Sequence, residues 1–308
     1  MEKYLYKKTK PYNTFHLQVS GEHFLYIKQY GNKKGIPIVF LHGGPGGFTV
    51  EGCSRFFNLK YYNVVVFDQR GCGKSLPRDC LIDNKTEFLI DDIEKIRCAL
   101  NFDKIILFGG SWGASLAILY CFKYPQNVKH YIIRGFTLLQ DDIYPESFKL
   151  MYPKHWGKIE QLAKTTDVNK ILKTFFTKIK NNNKTFIEGW CQAETAALTV
   201  DPKTNSAFND SLANKKTIAF FETYYFMNKC FLPKNYFLNN AKKIKHIPGH
   251  IIHGRLDTIC SFEDSYNLHQ KLPKSKLILV ENAAHSYMDP PLAKAMVECT
   301  KECVKLYG

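Results

Sequence analysis

Apolar and polar residues alternate at the start of the chain. The stretches near 15–19 and 24–30 have this pattern, and a Ser-Gly-Glu turn separates them, which predicts an opening β-hairpin. Short, nearly continuous runs of Val, Ile, Leu and Phe follow, as is typical of strands buried on both faces of a parallel sheet. These runs cover residues 36–41, 64–67 and 105–108.

Between the strand runs, apolar residues recur every three or four positions, which predicts helices. One helix covers 86–100, and another begins after Ser111 and ends near Pro125. The alternation of strands and helices indicates an α/β fold with a mostly parallel central sheet flanked by helices. The remaining elements of this pattern are strands at 128–135, 250–253 and 276–280 and a helix at 291–306.

The middle of the chain has a different pattern. From 137 to 243 the sequence is rich in Lys and Asn and helical in period, and the strand–helix alternation resumes only at 250. A helical block inserted into such a chain predicts a cap over the carboxyl edge of the sheet, where open α/β sheets bind ligands. We therefore expect a core of residues 1–136 and 244–308 and a helical cap of residues 137–243.

Composition narrows the class of protein. The 308 residues are 45% hydrophobic, yet no apolar run approaches the roughly 20 residues that span a bilayer, and the N-terminus does not resemble a signal peptide. We expect a cytoplasmic protein without a membrane partner. The ten cysteines form no Cys-x-x-Cys pair, so we interpret them as free thiols. Cys299 and Cys303 share a helical face, but no histidine is near them in sequence, and no metal site is expected.

The net charge of +15 raises the question of nucleic-acid binding. The lysines, however, are spread along the whole chain and are not interleaved with aromatic residues that could stack on bases. A solvated lysine-rich surface explains the charge better, so we expect no nucleic-acid partner.

A Gly-x-Ser-x-Gly pentapeptide, residues 109–113, joins the third strand run to the helix after it. Small residues on both sides of Ser111 permit a tight strand-to-helix turn that exposes its Oγ. The helix N-terminus also directs amide groups toward a developing negative charge. Both conditions favour a serine nucleophile, with Trp112 providing one N–H group for an oxyanion.

A serine hydrolase of this topology needs an acid and then a histidine further along the chain. Asp257 follows the strand at 250–253, and His285 follows the next strand. Both therefore lie at the same sheet edge as Ser111. His285 can take the serine proton while Asp257 orients the imidazole, which predicts a Ser111–Asp257–His285 triad.

The second oxyanion donor is expected in the glycine-rich loop at 42–47, directly after the strand at 36–41. Without side chains the backbone N–H groups can approach a substrate oxygen, and we assign this role to Gly44. A phosphate-binding loop is the alternative, but the segment lacks the Lys-Ser/Thr of a P-loop and the Gly-x-Gly-x-x-Gly spacing.

These motifs resemble those of the proline iminopeptidases, serine peptidases of the α/β-hydrolase fold. The resemblance extends from about residue 11 to about residue 306 and is especially close over 67–135. It implies an exopeptidase that releases N-terminal proline from small peptides, with no metal and no organic cofactor. The segments that carry it are His42-Gly43-Gly44-Pro45-Gly46, Asp68-Gln69-Arg70-Gly71-Cys72-Gly73-Lys74-Ser75, Gly109-Gly110-Ser111-Trp112-Gly113 and Gly254-Arg255-Leu256-Asp257.

The resemblance also implies how the substrate amine is recognised. Two cap glutamates bind it in this family, and the matching positions here are Glu194 and Glu222. Glu222 lies in an aromatic run where an unpaired charge is costly, which itself indicates a partner. Phe136 and Cys260 match positions that line the proline pocket, although Cys260 could equally be an ordinary core cysteine.

Two departures from the family leave the preference for proline open. Ala193 stands where the family usually has a second tryptophan, and the segment 137–153 lacks a residue and several aromatics. The alternatives are therefore a carboxylesterase or an aminopeptidase of broader specificity with the same triad. Epoxide hydrolases and dehalogenases share the fold but attack with Asp, whereas position 111 is Ser. A catalytically inactive binding protein of this fold would be expected to have lost a triad member, and all three are present. We expect a monomer or a small homo-oligomer.

Overall fold

A computed structural model describes residues 2–139, 146–201, 203 and 210–308. Within these residues an eight-stranded sheet has the order β1-β2-β4-β3-β5-β6-β7-β8. The first two strands form the predicted hairpin, β2 also pairs antiparallel with β4, and the neighbours from β4 to β8 are parallel. The strands are β1 (Asn13–Ser20), β2 (His23–Gly31), β3 (Ile36–Leu41), β4 (Tyr62–Phe67), β5 (Ile105–Gly110), β6 (Val128–Arg134), β7 (Gly249–Gly254) and β8 (Ser275–Val280).

Alternate residues of the central strands face opposite sides of the sheet. In β3, Val39 and Leu41 pack into one apolar cluster, while Ile38 and Phe40 pack into another. A strand that is buried on both faces requires helices on both sides, which explains the nearly continuous apolar runs in the sequence. The α/β fold class predicted from the sequence is confirmed. The core helices are α1 (Thr86–Ala99), α2 (Trp112–Lys123), α9 (Phe262–Lys271) and α10 (Pro290–Tyr307).

A helical segment separates β6 from β7. Helix α6 packs against α4, α5 and α7. Aromatic rings pack between these helices: Phe175 of α5 contacts Trp190 of α6, with ring centroids 5.5 Å apart. The segment 137–153 was noted above as a departure from the family pattern. Its residues 140–145 lie outside the described part of the chain. The helices are α3 (Glu146–Met151), α4 (Pro153–Ala163), α5 (Val168–Lys180), α6 (Lys184–Ala196), α7 (Leu212–Met227) and α8 (Tyr236–Asn240).

A buried ion pair fixes the loop after β4 to helix α1. The Arg70 Nε donates to Asp92 Oδ2 at 2.6 Å, and Nη2 donates to Oδ1 at 2.7 Å. Both side chains are almost fully buried. The paired hydrogen bonds offset part of the desolvation cost, and removal of one partner would leave the other charge buried alone.

Among the described residues, no helix is both long enough and apolar enough to cross a membrane.

Candidate active site

Ser111 occupies the sharp turn between β5 and α2. Its φ of 58° and ψ of −128° are unusual for a residue with a side chain. A Cβ added at Gly109 would lie 2.2 Å from the Gly113 carbonyl oxygen, so the turn leaves no room for a side chain there. The predicted strand–turn–helix is confirmed. Trp112 is the first residue of α2, and N–H groups in the first turn of a helix have no intrahelical acceptor.

Asp257 and His285 meet at the ends of β7 and β8. The His285 Nδ1–H donates to Asp257 Oδ2 at 2.7 Å. The other carboxylate oxygen accepts the backbone N–H groups of Ile259 and Cys260, each at 2.9 Å. Burial alone would raise the pKa of Asp257, but the His285 charge and these hydrogen bonds lower it to about 2. Asp257 is therefore ionised and orients the imidazole.

The end of β6 connects the serine to the histidine. The Arg134 carbonyl accepts the Ser111 N–H at 2.8 Å, and the Arg134 guanidinium donates to the His285 carbonyl. Gly135 follows with a φ of +56°, and an added Cβ would lie 3.0 Å from His285 Cε1 and 3.3 Å from Asp257 Oδ2. The sequence analysis did not anticipate the contacts of Arg134 or the close approach of Gly135 to His285. The available signal was a charged residue and a glycine at the end of an apolar strand.

Hydrogen bonds attach the glycine-rich loop to the segment after β4, which in turn contacts α2. The Gln69 N–H donates to His42 Nε2 at 2.9 Å, and the Gln69 side chain joins the His42 carbonyl to the Trp112 indole, both at 2.9 Å. Burial lowers the pKa of His42, so its neutral ring can accept this bond. Gly44 has a φ of +116°, and an added Cβ at Gly43 would lie 3.3 Å from Ser111 Cβ. The loop is therefore next to the serine.

Two carboxyl groups from different helices lie together near this loop. Glu194 on α6 and Glu222 on α7 hydrogen-bond to each other, and Trp190 Nε1 donates to Glu222 Oε2 at 2.6 Å. Burial, and then the Glu194 charge, raise the pKa of Glu222 well above its ordinary range. Burial also raises the pKa of Glu194, which Glu222 and His285 counteract. Since both pKa values are raised and the carboxyls contact each other, the pair favours sharing one proton and one negative charge.

A cavity of about 160 Å³ opens between the glutamates and the glycine-rich loop, and Gly44, Gly47, Glu194 and Glu222 all line it. Its remaining lining residues are Cys191, Thr195, Leu198, Asp210, Lys215 and Ile218.

The two residues expected in a proline pocket are both buried. Phe136 packs edge-on against Phe237 with ring centroids 5.2 Å apart. Cys260 follows the Asp257 turn, and burial, reinforced by the Asp257 charge, raises the pKa of its thiol well above the ordinary range. Neither residue lines the cavity described above, and their roles remain predictions.

The described residues also contain a histidine and cysteine cluster at the opposite edge of the sheet. His130, His250 and Cys303 place ligand-type atoms within 4.8 Å of one another. His130 Nε2 and His250 Nδ1 are hydrogen-bonded at 2.9 Å, and the outer ring nitrogens contact Tyr307 and Glu302. Because every imidazole nitrogen has a partner, the cluster is satisfied as a polar network without an ion.

A parallel sheet with a serine elbow, and with an acid and a histidine after later strands, is the arrangement of α/β hydrolases. Residues 36–289 match the family model of the α/β-hydrolase fold. Solved structures agree at the level of fold. An esterase from Exiguobacterium antarcticum is 17% identical, with a TM-score of 0.67 and coverage of 94% of this chain and 98% of the esterase. A proline iminopeptidase-related protein from Thermus thermophilus is 19% identical, with a TM-score of 0.62 and coverage of 95% and 98%.

Curated relatives show which family of α/β hydrolases the chain belongs to. A proline iminopeptidase of Arabidopsis thaliana is 35% identical over 99% of this chain and 83% of its own length. A proline iminopeptidase of Neisseria gonorrhoeae is 33% identical over 97% of this chain and 98% of its own. The chain belongs to the proline iminopeptidase family. The family expected from the sequence motifs is thus confirmed.

Proposed function

We propose that this protein is a serine exopeptidase that releases the N-terminal residue, preferentially proline, from small peptides. The observation that carries the proposal is the Glu194–Glu222 pair, which shares a cavity with Gly44 beside the Ser111 turn. A carboxyl pair of this kind suits a substrate ammonium group close to the scissile carbonyl. The relatives named above support the same activity.

Acyl transfer is the proposed chemistry. The His285 Nδ1–H donates to Asp257, so Nε2 carries the lone pair that accepts the Ser111 proton. Ser111 attacks the carbonyl, and the N–H groups of Gly44 and Trp112 stabilise the oxyanion. The imidazolium then protonates the leaving amine. In the second half of the reaction His285 takes a proton from water, the water attacks the acyl-enzyme, and the proton is returned to Ser111. Arg134 and Gly135 act as positioning residues for the serine and the imidazole.

Amine recognition is proposed to use the single negative charge of the glutamate pair. Glu194 carries the charge and accepts from the substrate ammonium, while Glu222 holds the proton and is oriented by Trp190. We propose that residues 137–243 form a cap whose helices α6 and α7 carry this pair over a core of residues 1–136 and 244–308. Phe136 and Cys260 are proposed to shape the proline side of the site from beneath.

The cysteines bear on the proposed cellular location. All ten are free, and eight are buried. Free thiols are typical of a reducing compartment, which supports a cytoplasmic location.

The test compares prolyl 4-nitroanilide with its N-acetylated form and with an alanyl analogue. The proposal predicts rapid release from the free prolyl amine, slower release from alanine and very little from the acetylated substrate. The Ser111→Ala variant should lose all of this activity, and unchanged circular dichroism would show that it folds. Equal rates on the free and acetylated substrates would contradict the amine-binding role, and an active Ser111→Ala variant would contradict the nucleophile.

A further inference from the structure

A large basic cleft lies beside the glycine-rich loop. Its volume is about 970 Å³, and Phe48, Thr49 and Val50, which directly follow the loop, form part of its wall. Basic side chains outnumber acidic ones among its lining residues, and they come from distant parts of the chain. The basic residues are Lys8, Lys10, Lys28, Lys74 and Arg78, and the acidic ones are Glu51 and Asp68.

A smaller cavity borders both this basic cleft and the surroundings of Ser111. It has a volume of about 120 Å³ and shares Phe48 and Val50 with the cleft. Its other lining residues include Gly43, Gly110 and Arg134, which flank Ser111 in space or sequence. The basic cleft and the surroundings of Ser111 therefore border the same small cavity, and none of its lining residues lines the cavity of the glutamate pair.

Local partners already occupy both acidic groups of the cleft. The Asp68 carboxylate accepts the backbone N–H groups of Thr49 and Lys74, at 2.7 Å and 2.8 Å. Glu51 pairs with Lys8, and this contact is the main reason why its pKa is lowered. With five basic and two acidic side chains, the lining keeps a formal charge of +3.

Two of those lysines lie over the same aromatic ring. Lys28 Nζ is 5.6 Å and Lys74 Nζ is 5.2 Å from the Tyr26 ring centroid. Like charges gathered in this way repel each other, and an anion between them would relieve the repulsion. Thr49 lies in the same wall, and its buried hydroxyl has no hydrogen-bond partner among the described residues.

We propose that the basic cleft binds a carboxylate of the leaving peptide, in particular its free C-terminal carboxylate. This inference rests on the proposed function, in which the glutamate pair holds the amine end of the substrate. Every short unmodified peptide carries a positive amine at one end and a negative carboxylate at the other. A site that combines a carboxylate pair in one cavity with a group of lysines in another matches that polarity, and it favours free-acid peptides over amidated ones.

The experiment measures KM for peptides of the form Pro-(Ala)n, each as the free acid and as the C-terminal amide, with one to four alanines. The quantity of interest is the ratio of KM for the amide to KM for the acid. The wild-type ratio should exceed one and reach a maximum at one length. In the Lys28→Gln/Lys74→Gln variant the ratio should fall about three- to tenfold toward one, as two partly exposed charge contacts would give. Added salt should lower the wild-type ratio as well.

The matched control is Lys242→Gln/Lys243→Gln, which removes the same charge from exposed positions outside the cleft. It should leave the ratio unchanged, and an equal fall in this control would overturn the proposal in favour of general charge steering. A wild-type ratio of one at every length would also overturn it. Amidated peptides with glutamate or glutamine after the proline separate the two carboxylate sources: a preference for glutamate without an acid-over-amide effect would refute the C-terminal assignment. Absence of prolyl 4-nitroanilide hydrolysis by the wild type would instead refute the proposed function.

Discussion

Substitution of the two glutamates by glutamine should have unequal effects on catalysis. Because the proposed function places the proton of the pair on Glu222, Glu222→Gln should preserve the working arrangement. Its amide oxygen can accept from Trp190 Nε1, and its NH₂ group can donate to Glu194. In the same proposal, Glu194→Gln instead removes the single negative charge of the pair, so the substrate ammonium should lose its ionic partner.

The size of the difference follows from one charge-assisted hydrogen bond. Such a bond contributes about 1.5–3 kcal/mol, and about 1.4 kcal/mol corresponds to a factor of ten. We therefore expect kcat/KM for prolyl 4-nitroanilide at pH 7.5 to fall about 10- to 150-fold in Glu194→Gln. In Glu222→Gln the loss should stay below about threefold, a change of about 0.7 kcal/mol.

The assay is steady-state release of 4-nitroaniline, with 4-nitrophenyl acetate as a second substrate that carries no ammonium group. A parallel loss on the acetate would mean that the substitution disturbed His285 rather than amine binding. Equal losses on the anilide in the two variants would refute the one-proton pair. They would show instead that both carboxylates bind the amine in the ionised form.

Other predictions concern geometry and stability. Gly135→Ala should lower kcat about 100-fold, because the new methyl group would contact the His285 ring and displace it. A displacement of a catalytic group near 1 Å can have an effect of this size. Circular dichroism should show an unchanged fold. The raised pKa of Glu222 means that the folded state loses stability as pH rises above the ordinary carboxyl range. Glu222→Gln should therefore raise the melting temperature at pH 8 more than at pH 4, and a uniform shift would contradict this origin. Arg70→Met should lower the free energy of unfolding by about 3–5 kcal/mol, because it breaks the buried ion pair with Asp92. Arg255→Met, which breaks an exposed ion pair, should lower it by at most about 1 kcal/mol. Urea denaturation midpoints measure both changes.

Local sequence patterns were sufficient to predict the sheet, the serine turn and the order of the candidate acid and base. Apolar runs define buried strands, and Asp257 and His285 each follow such a run. Residues at the carboxyl ends of parallel strands share one sheet edge, so their proximity could be anticipated without coordinates.

The supporting contacts could not be predicted, because they depend on side-chain directions across the fold. The Trp190 indole and the Glu222 carboxyl are 32 positions apart and on different helices, and nothing local indicates that they meet. The Arg134 guanidinium reaches the His285 carbonyl across 151 positions. Lys28 and Lys74 likewise come together only because β2 lies next to β4, an antiparallel pairing that the sequence pattern does not specify.

The serine, the acid and the imidazole lie at strand ends, whereas the two glutamates belong to helices inserted between β6 and β7. The proposed function thus assigns bond cleavage and amine selection to separate stretches of the gene. Random mutagenesis confined to codons 146–240 could therefore change which N-terminal residue is removed while the hydrolytic machinery stays intact. Gene duplication followed by drift in that stretch would offer the same route to new peptidases in nature.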